Sequence, residues 1–317
     1  MHYSLMIQIS LMLSVVGGLS SSSIYMYWCM LELNTLMFMA MLWLDKKTNS
    51  SLSMMKYFLI QSLGTVLMIW GLFMISDLSL MMSMLLKLGV FPFYMWGLDL
   101  VMNSSWMIFM YLMGVQKVLP LFFLTSLSGF NSIYILISIM GMVVSCLGSF
   151  YKSDLSSLMF YSSLFNMSIL LLLVMKSNLV MIMFMMYLIV LIPCWLEFTS
   201  TYMINVNMIS INPSILMVFL SMGGFPPSIG FFFKWLVFNN MLTMNYSLLI
   251  CVLVMVMSLY MFYLYLVIIM SSLMLGITKM MKSNKISMYS NLMFSMHLLC
   301  MFALIMMMYS LKILFWK

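Results

Sequence analysis

The sequence predicts an all-α membrane protein that crosses the bilayer many times. Hydrophobic residues make up 66% of its 317 residues and charged residues 6%, whereas soluble domains carry about 25% charged residues. The apolar runs are roughly twenty residues long, which is the length a helix needs to cross the hydrocarbon core. They do not alternate apolar with polar residues, so a transmembrane barrel is excluded and helices remain as the spanning structure.

Eleven spans are predicted from the apolar runs. They fall at 3–19, 24–44, 55–75, 79–98, 104–127, 131–149, 158–175, 178–197, 214–240, 246–273 and 288–311. Because the connections are too short to hold a soluble domain, residues 1–317 are predicted to form a single membrane domain. Seven loop lysines fall on the side of the N-terminus and three on the other, so the positive-inside rule places the N-terminus on the cytoplasmic or matrix side.

Two spans contain residues that break helices. They are Gly89 and Pro92 in the fourth span and Gly223, Gly224, Pro226 and Pro227 in the ninth. If 3–127 and 131–273 are two repeats of five spans, both breaks fall in the fourth span of their repeat. Because five is an odd number of spans, the second repeat has the opposite orientation in the membrane. The span at 288–311 is then an extra C-terminal helix. Interrupted helices at matching positions of inverted repeats are typical of a transport site.

Four charged residues lie within predicted spans: Glu32, Lys87, Lys117 and Lys234. A charge near the bilayer centre costs about 2.5–3.5 kcal/mol on insertion scales, so it is expected to face the bundle interior and to serve a function. An ammonium group removed from water holds its proton less tightly, and a nearby carboxylate favours the charged form. A Glu–Lys pair is therefore a candidate proton switch. Lys234 lies nearer a span end, where snorkelling to the interface is a stronger alternative.

Other classes of function find no support in the sequence. The five cysteines stand alone, without the spacing of a metal or iron–sulfur site. No nucleotide-binding glycine motif occurs. The net charge is +7, but the lysines are scattered singly among apolar spans, which indicates membrane topology and no nucleic-acid partner. Arginine is absent and methionine accounts for 49 residues, which suggests an organelle genome that reads an extra codon as methionine.

Six short segments, taken in order along the chain, resemble a known family. They are LELN at 31–34, KYFLIQ at 56–61, KLG at 87–89, QKVLP at 116–120, YSS at 161–163 and GGFPP at 223–227. Together they resemble chain 2 of mitochondrial NADH:ubiquinone oxidoreductase (respiratory complex I), in its animal form. The resemblance covers nearly the whole chain.

The resemblance implies an antiporter-like fold and a proton-translocating role driven by electron transfer from NADH to ubiquinone. It implies that Glu32 pairs with Lys87, and that Lys117 connects onward to Lys234 along a hydrated axis in the membrane plane. It also implies that this chain holds no cofactor, since NADH, FMN, iron–sulfur clusters and ubiquinone bind in partner subunits. Asn166 stands where the family often has a histidine, so no histidine relay is expected there.

The same resemblance implies a setting for the chain and leaves two alternatives open. The setting is the mitochondrial inner membrane, with a matrix N-terminus and with the chain 4 and chain 4L subunits as neighbours. The first alternative is a freestanding cation/proton antiporter, which the broken helices fit equally well. The second is a structural scaffold that links pumping neighbours without conducting protons itself.

Overall fold

The computed structural model describes residues 2–45, 50–127, 131–150, 152, 154–201, 213–226 and 228–280. These residues form helices joined by short turns, as the sequence predicts. The helices are α1 (His2–Ser20), α2 (Ile24–Trp43), α3 (Ser50–Met74), α4 (Asp77–Leu88), α5 (Met95–Asn103), α6 (Trp106–Met113), α7 (Val115–Ser126), α8 (Asn131–Phe150), α9 (Leu155–Leu172), α10 (Ser177–Thr201), α11 (Pro213–Gly223), α12 (Ile229–Thr243) and α13 (Leu248–Met280). The predicted span at 288–311 lies outside the described residues.

The described helices follow the predicted spans closely. Six helical segments within the described ranges are long and apolar enough to cross a membrane. They coincide with the third, fifth, sixth, seventh, eighth and tenth predicted spans. The count of eleven spans stays a prediction, because the other helices are shorter or less apolar and the last span is not described.

The chain divides into two compact units. The first comprises residues 1–152 and 156–181, and the remainder of the chain forms the second. This division does not follow the predicted boundary between 3–127 and 131–273, so the repeats and the single domain remain predictions. Each unit is treated separately below.

Within the first unit, α9 is the most enclosed of the long apolar helices and α3 is more peripheral. In α9, 89% of the apolar stretch is buried, against 33% in α3. The exposed side of α3 carries large apolar side chains such as Phe58, Val66 and Phe73. A helix with one apolar side turned outward fits a lipid-facing position, because lipid and core are equally apolar solvents for it.

The break after α4 depends on the backbone of Gly89. Its φ is +63°, in the left-handed region that glycine enters without a steric penalty. The N–H groups of Gly89 and Val90 donate to the carbonyls of Leu86 and Leu85, at 3.2 and 3.4 Å, which is the hydrogen-bond pattern of a Schellman C-cap. A Cβ on Gly89 would also lie 2.9 Å from the Trp96 ring. The chain thus leaves the helix at Gly89, where the sequence predicts a break.

The break after α11 has the same construction. Gly224 has a φ of +80°, and the N–H groups of Gly224 and Phe225 donate to the carbonyls of Ser221 and Leu220, at 3.3 and 3.1 Å. In each break the left-handed glycine is followed within three residues by proline: Pro92 in the first and Pro226 in the second. Proline has no N–H group, so it cannot continue the helix. Pro227 lies outside the described residues.

A third interruption was not predicted. The span at 104–127 is interrupted at Gly114, which separates α6 from α7, while the apolar stretch from Trp106 to Ser126 matches the predicted span. Gly114 has φ −104° and ψ −84°, outside the helical region, and its N–H still donates to the Met110 carbonyl. The interruption places Lys117 in the first turn of a new helix instead of the middle of a long one.

Candidate functional site

Lys87 is the penultimate residue of α4, immediately before the first break. Its side chain is 4% exposed, and its Nζ has no hydrogen-bond partner among the described residues. The aliphatic stem packs against α3, where a Cβ on Gly64 would lie 3.1 Å from Lys87 Cγ. The absence of a side chain at Gly64 therefore makes room for a lysine inside the bundle.

Lys117 is equally buried, at 4% exposure, and belongs to α7. Its Nζ donates to the Ser163 hydroxyl on α9 at 3.5 Å, a long hydrogen bond. Ser163 in turn donates to the Phe160 carbonyl at 2.7 Å. Because the single hydroxyl proton is used there, the lone pairs of Ser163 remain available to the ammonium group.

Lys87 and Lys117 line the same cavity in the first unit. Its other polar lining residues are Tyr57, Gln61 and Gln116. We call it the lysine cavity. It is narrow, with room for about one water molecule. The structure thus brings together two predicted site residues from different helices, next to both the first break and the Gly114 interruption.

Glu32 lies on α2 and is half-buried. It acts electrostatically on both Lys87 and Tyr57, while its carboxylate accepts a hydrogen bond from Thr35 at 3.4 Å. It makes no ion pair within 4.0 Å with Lys87. In this structure Glu32 therefore acts on the lysine cavity across a gap, without a direct contact.

One direct ion pair joins Lys56 to Asp99. Their Nζ and Oδ2 atoms are 2.6 Å apart, and the side chains are 46% and 48% exposed. Such exposed pairs contribute about 0–1 kcal/mol. The sequence placed both residues near span ends but gave no signal that they meet, because they lie on separate helices, α3 and α5.

Lys234 belongs to the second unit and contacts the break after α11. Its Nζ donates to the Gly223 carbonyl at 2.5 Å. A Cβ on Gly224 would lie 3.0 Å from Lys234 Cδ. The last carbonyls of a helix lack intrahelical donors, and a cation near them is favourable. Lys234 therefore caps α11, a contact that holds the end of this helix in place.

Replacing Lys234 with methionine is expected to lower stability by about 1–3 kcal/mol, because the Gly223 carbonyl loses its donor inside the bundle. The measurement is the melting temperature of the purified assembly. Lys234→Arg retains a donor and is expected to recover most of the loss. Lys56→Met serves as the control, since it removes a lysine of an exposed pair. An unchanged melting temperature in Lys234→Met would rule out the capping role.

Among curated proteins, the chain is similar to NADH-ubiquinone oxidoreductase chain 2 of Anopheles gambiae. The two are 30% identical over 262 residues, which cover 75% of this chain and 76% of the relative. The chain belongs to the NADH-ubiquinone oxidoreductase chain 2 family. No protein-family model matches the chain. Membership makes it a core membrane subunit of that oxidoreductase.

Solved structures share the fold of this family member. A chain of respiratory complex I from Thermus thermophilus aligns with a TM-score of 0.74 and 18% identity, covering 84% of this chain and 69% of that one. A chain of the Mrp complex from Dietzia sp. aligns with a TM-score of 0.76 and 12% identity, covering 83% and 59%. These likenesses establish an antiporter-like fold. The family relationship favours complex I over the freestanding antiporter.

Residues of the kinds that ligate metals do not cluster in the part of the chain that is described. No three of its histidine, cysteine, aspartate and glutamate side chains come together in a way that could hold an ion. The polar groups gathered inside the first unit are instead lysines, amides and hydroxyls. Of these, the lysine side chains can bind and release protons, and the amides and hydroxyls can hydrogen-bond to them.

Proposed function

We propose that the chain translocates protons across the membrane as part of NADH:ubiquinone oxidoreductase. The observation that carries the proposal is the lysine cavity, where two buried lysines from different helices line one small polar space. Two ammonium groups in one bundle are costly to bury. Such an arrangement fits a site that exchanges protons better than one that only holds helices together.

The proposed roles follow from the surroundings of each residue. A nearby carboxylate favours the charged form of an ammonium group, so a change in the spacing of Glu32 and Lys87 is proposed to alter how tightly Lys87 holds its proton. Lys87 and Lys117 exchange a proton through the cavity, which has room for about one water molecule. Lys234 is the next carrier that the family resemblance implies, and its contact with Gly223 would couple its charge to the second break.

The energy for this work is proposed to come from partner subunits. NADH, FMN, iron–sulfur clusters and ubiquinone bind there, and this chain contributes no redox centre to the translocase reaction. The chain 4 and chain 4L subunits are proposed as its neighbours. Its proposed location is the mitochondrial inner membrane, surrounded by lipid, with the N-terminus on the matrix side.

The test replaces Lys87 with methionine, which keeps the length and apolar volume of the stem but removes the ammonium group. We expect proton pumping to fall by about tenfold, since one of the two lysines of the cavity is lost while Lys117 is retained. The assembled complex is reconstituted into liposomes, and proton uptake is measured alongside NADH oxidation.

Lys56→Met is the matched control, because it removes a lysine of the same unit that lies outside the cavity. It is expected to pump at the rate of the unaltered complex. Full pumping by Lys87→Met would contradict the proposal and favour a scaffold. Proton/cation exchange by the purified chain alone would instead favour the antiporter, which the likeness to the Mrp complex keeps as the second candidate.

A further inference from the structure

Four polar side chains form a hydrogen-bonded bridge across four helices of the first unit. Ser14 on α1 donates to Asn34 Oδ1 on α2 at 3.5 Å. Asn34 and Gln116 on α7 exchange hydrogen bonds, with Asn34 Nδ2 to Gln116 Oε1 at 3.3 Å and Gln116 Nε2 to Asn34 Oδ1 at 3.2 Å. The Tyr57 hydroxyl on α3 donates to Gln116 Oε1 at 3.2 Å. We call these residues the polar bridge.

The polar bridge joins the helix that carries Glu32 to the wall of the lysine cavity. Asn34 follows Glu32 by two residues on α2, whereas Tyr57 and Gln116 line the cavity beside the two lysines. Tyr57 is 1% exposed. Its ring is fixed between Phe38 and Trp96, with centroid distances of 4.9 and 5.9 Å. The hydroxyl is therefore held in one place by packing as well as by Gln116.

The polar bridge also determines the orientation of the Gln116 amide and the Tyr57 hydroxyl. Gln116 Nε2 lies 3.4 Å from the backbone carbonyl of Asn34, which can only accept, so the amide nitrogen must face that side. Oε1 then faces Tyr57 and accepts its hydroxyl proton. Because the hydroxyl proton is donated to Gln116, the lone pairs of the Tyr57 oxygen can accept a hydrogen bond from a donor in the cavity.

We infer that Tyr57 is a positioning residue for the proton step at the lysine cavity, with its hydroxyl oriented by Gln116 to accept a hydrogen bond from the group that carries the proton. This inference rests on the proposed function. An acceptor fixed in advance costs no reorganisation when the charged group forms. Tyr57 lies within the segment KYFLIQ that carries the family resemblance, but helical periodicity does not mark it for this role, because its partners come from α2 and α7.

The ionisable groups that face Tyr57 are few. They are Glu32 on α2 and the two cavity lysines, Lys87 on α4 and Lys117 on α7. Asp99 on α5 is engaged by Lys56. A change in the pH profile of pumping on altering Tyr57 would therefore report on the proton step itself and not on a general loss of packing.

The test replaces Tyr57 with phenylalanine, which keeps the ring and removes the acceptor. The expected result is assembled complex in normal amount, a proton-pumping rate about fivefold lower, as for the loss of one hydrogen bond, and an altered pH profile. Tyr134→Phe is the matched control: Tyr134 is 2% exposed, and its hydroxyl has no hydrogen-bond partner among the described residues. An unchanged rate and pH profile in Tyr57→Phe would overturn the inference.

A second pair of variants keeps the inference testable if Tyr57→Phe does not assemble. Gln116→Met removes the acceptor that orients the hydroxyl and is expected to reproduce the slower pumping. Tyr134→Phe again serves as the control, since Tyr134 lies outside both the polar bridge and the lining of the cavity. Failure of both bridge variants to assemble would assign the bridge a structural role and overturn the inference. If Lys87→Met and the bridge variants all pump normally, the proposed function fails. If the bridge variants pump normally but Lys87→Met does not, only this inference fails.

Discussion

Replacing Lys117 with methionine is expected to lower proton pumping by the assembled complex about 100-fold or more, the scale of a lost proton-transfer group. Methionine fills the space of the lysine stem, so packing around α7 is retained. The Ser163 hydroxyl still donates to the Phe160 carbonyl and is not left without a partner. Lys117 is also the proposed exit from the cavity toward Lys234, so its loss interrupts the proposed path.

A second substitution at the same position separates charge from proton transfer. Lys117→Arg retains a cation, but a guanidinium does not release its proton at physiological pH. It is therefore expected to pump as poorly as Lys117→Met. Proton uptake and NADH oxidation are measured together in liposomes containing each assembled variant. Substantial pumping by Lys117→Arg would show that the position needs only a fixed charge, and normal pumping by Lys117→Met would favour the scaffold.

Replacing Gly230 with alanine is expected to prevent the chain from accumulating in the assembled complex. A Cβ on Gly230 would overlap the backbone carbonyl oxygen of Ser221, where the start of α12 crosses the end of α11. A backbone atom of a helix cannot move aside as a flexible side chain does. The destabilisation is therefore expected to exceed the roughly 1–3 kcal/mol of ordinary overpacking.

The measurement is the amount of assembled complex on a native gel, compared with the unaltered chain. Gly17→Ala is the matched control, because its Cβ would meet only the terminal atoms of Met30, the nearest at 3.0 Å. That side chain is flexible and can shift at little cost. Equal accumulation of the Gly230 and Gly17 variants would show that α11 and α12 separate without penalty, contrary to the packing described above.

The polar contacts show why the lysine cavity could not be predicted from the sequence. Each buried lysine can be recognised from its neighbouring sequence, because a charged residue is unusual within an apolar run. The residues that contact Lys87 and Lys117 from other helices are separated from them by tens of residues, as Gly64 is from Lys87 and Ser163 is from Lys117. Such contacts depend on how each helix is rotated and on how the helices cross. An apolar run surrounded by lipid determines neither the rotation nor the crossing angle.

The sequence by itself determined the fold class, the positions of most helices and the two breaks at Gly89 and Gly224. These follow from local physics: the length of apolar runs, the unpaired backbone that lipid forbids, and the freedom of glycine beside a proline. The tertiary structure decided the rest. Packing of separate helices brought Lys87 and Lys117 to one cavity. It also made Lys234 a cap on α11.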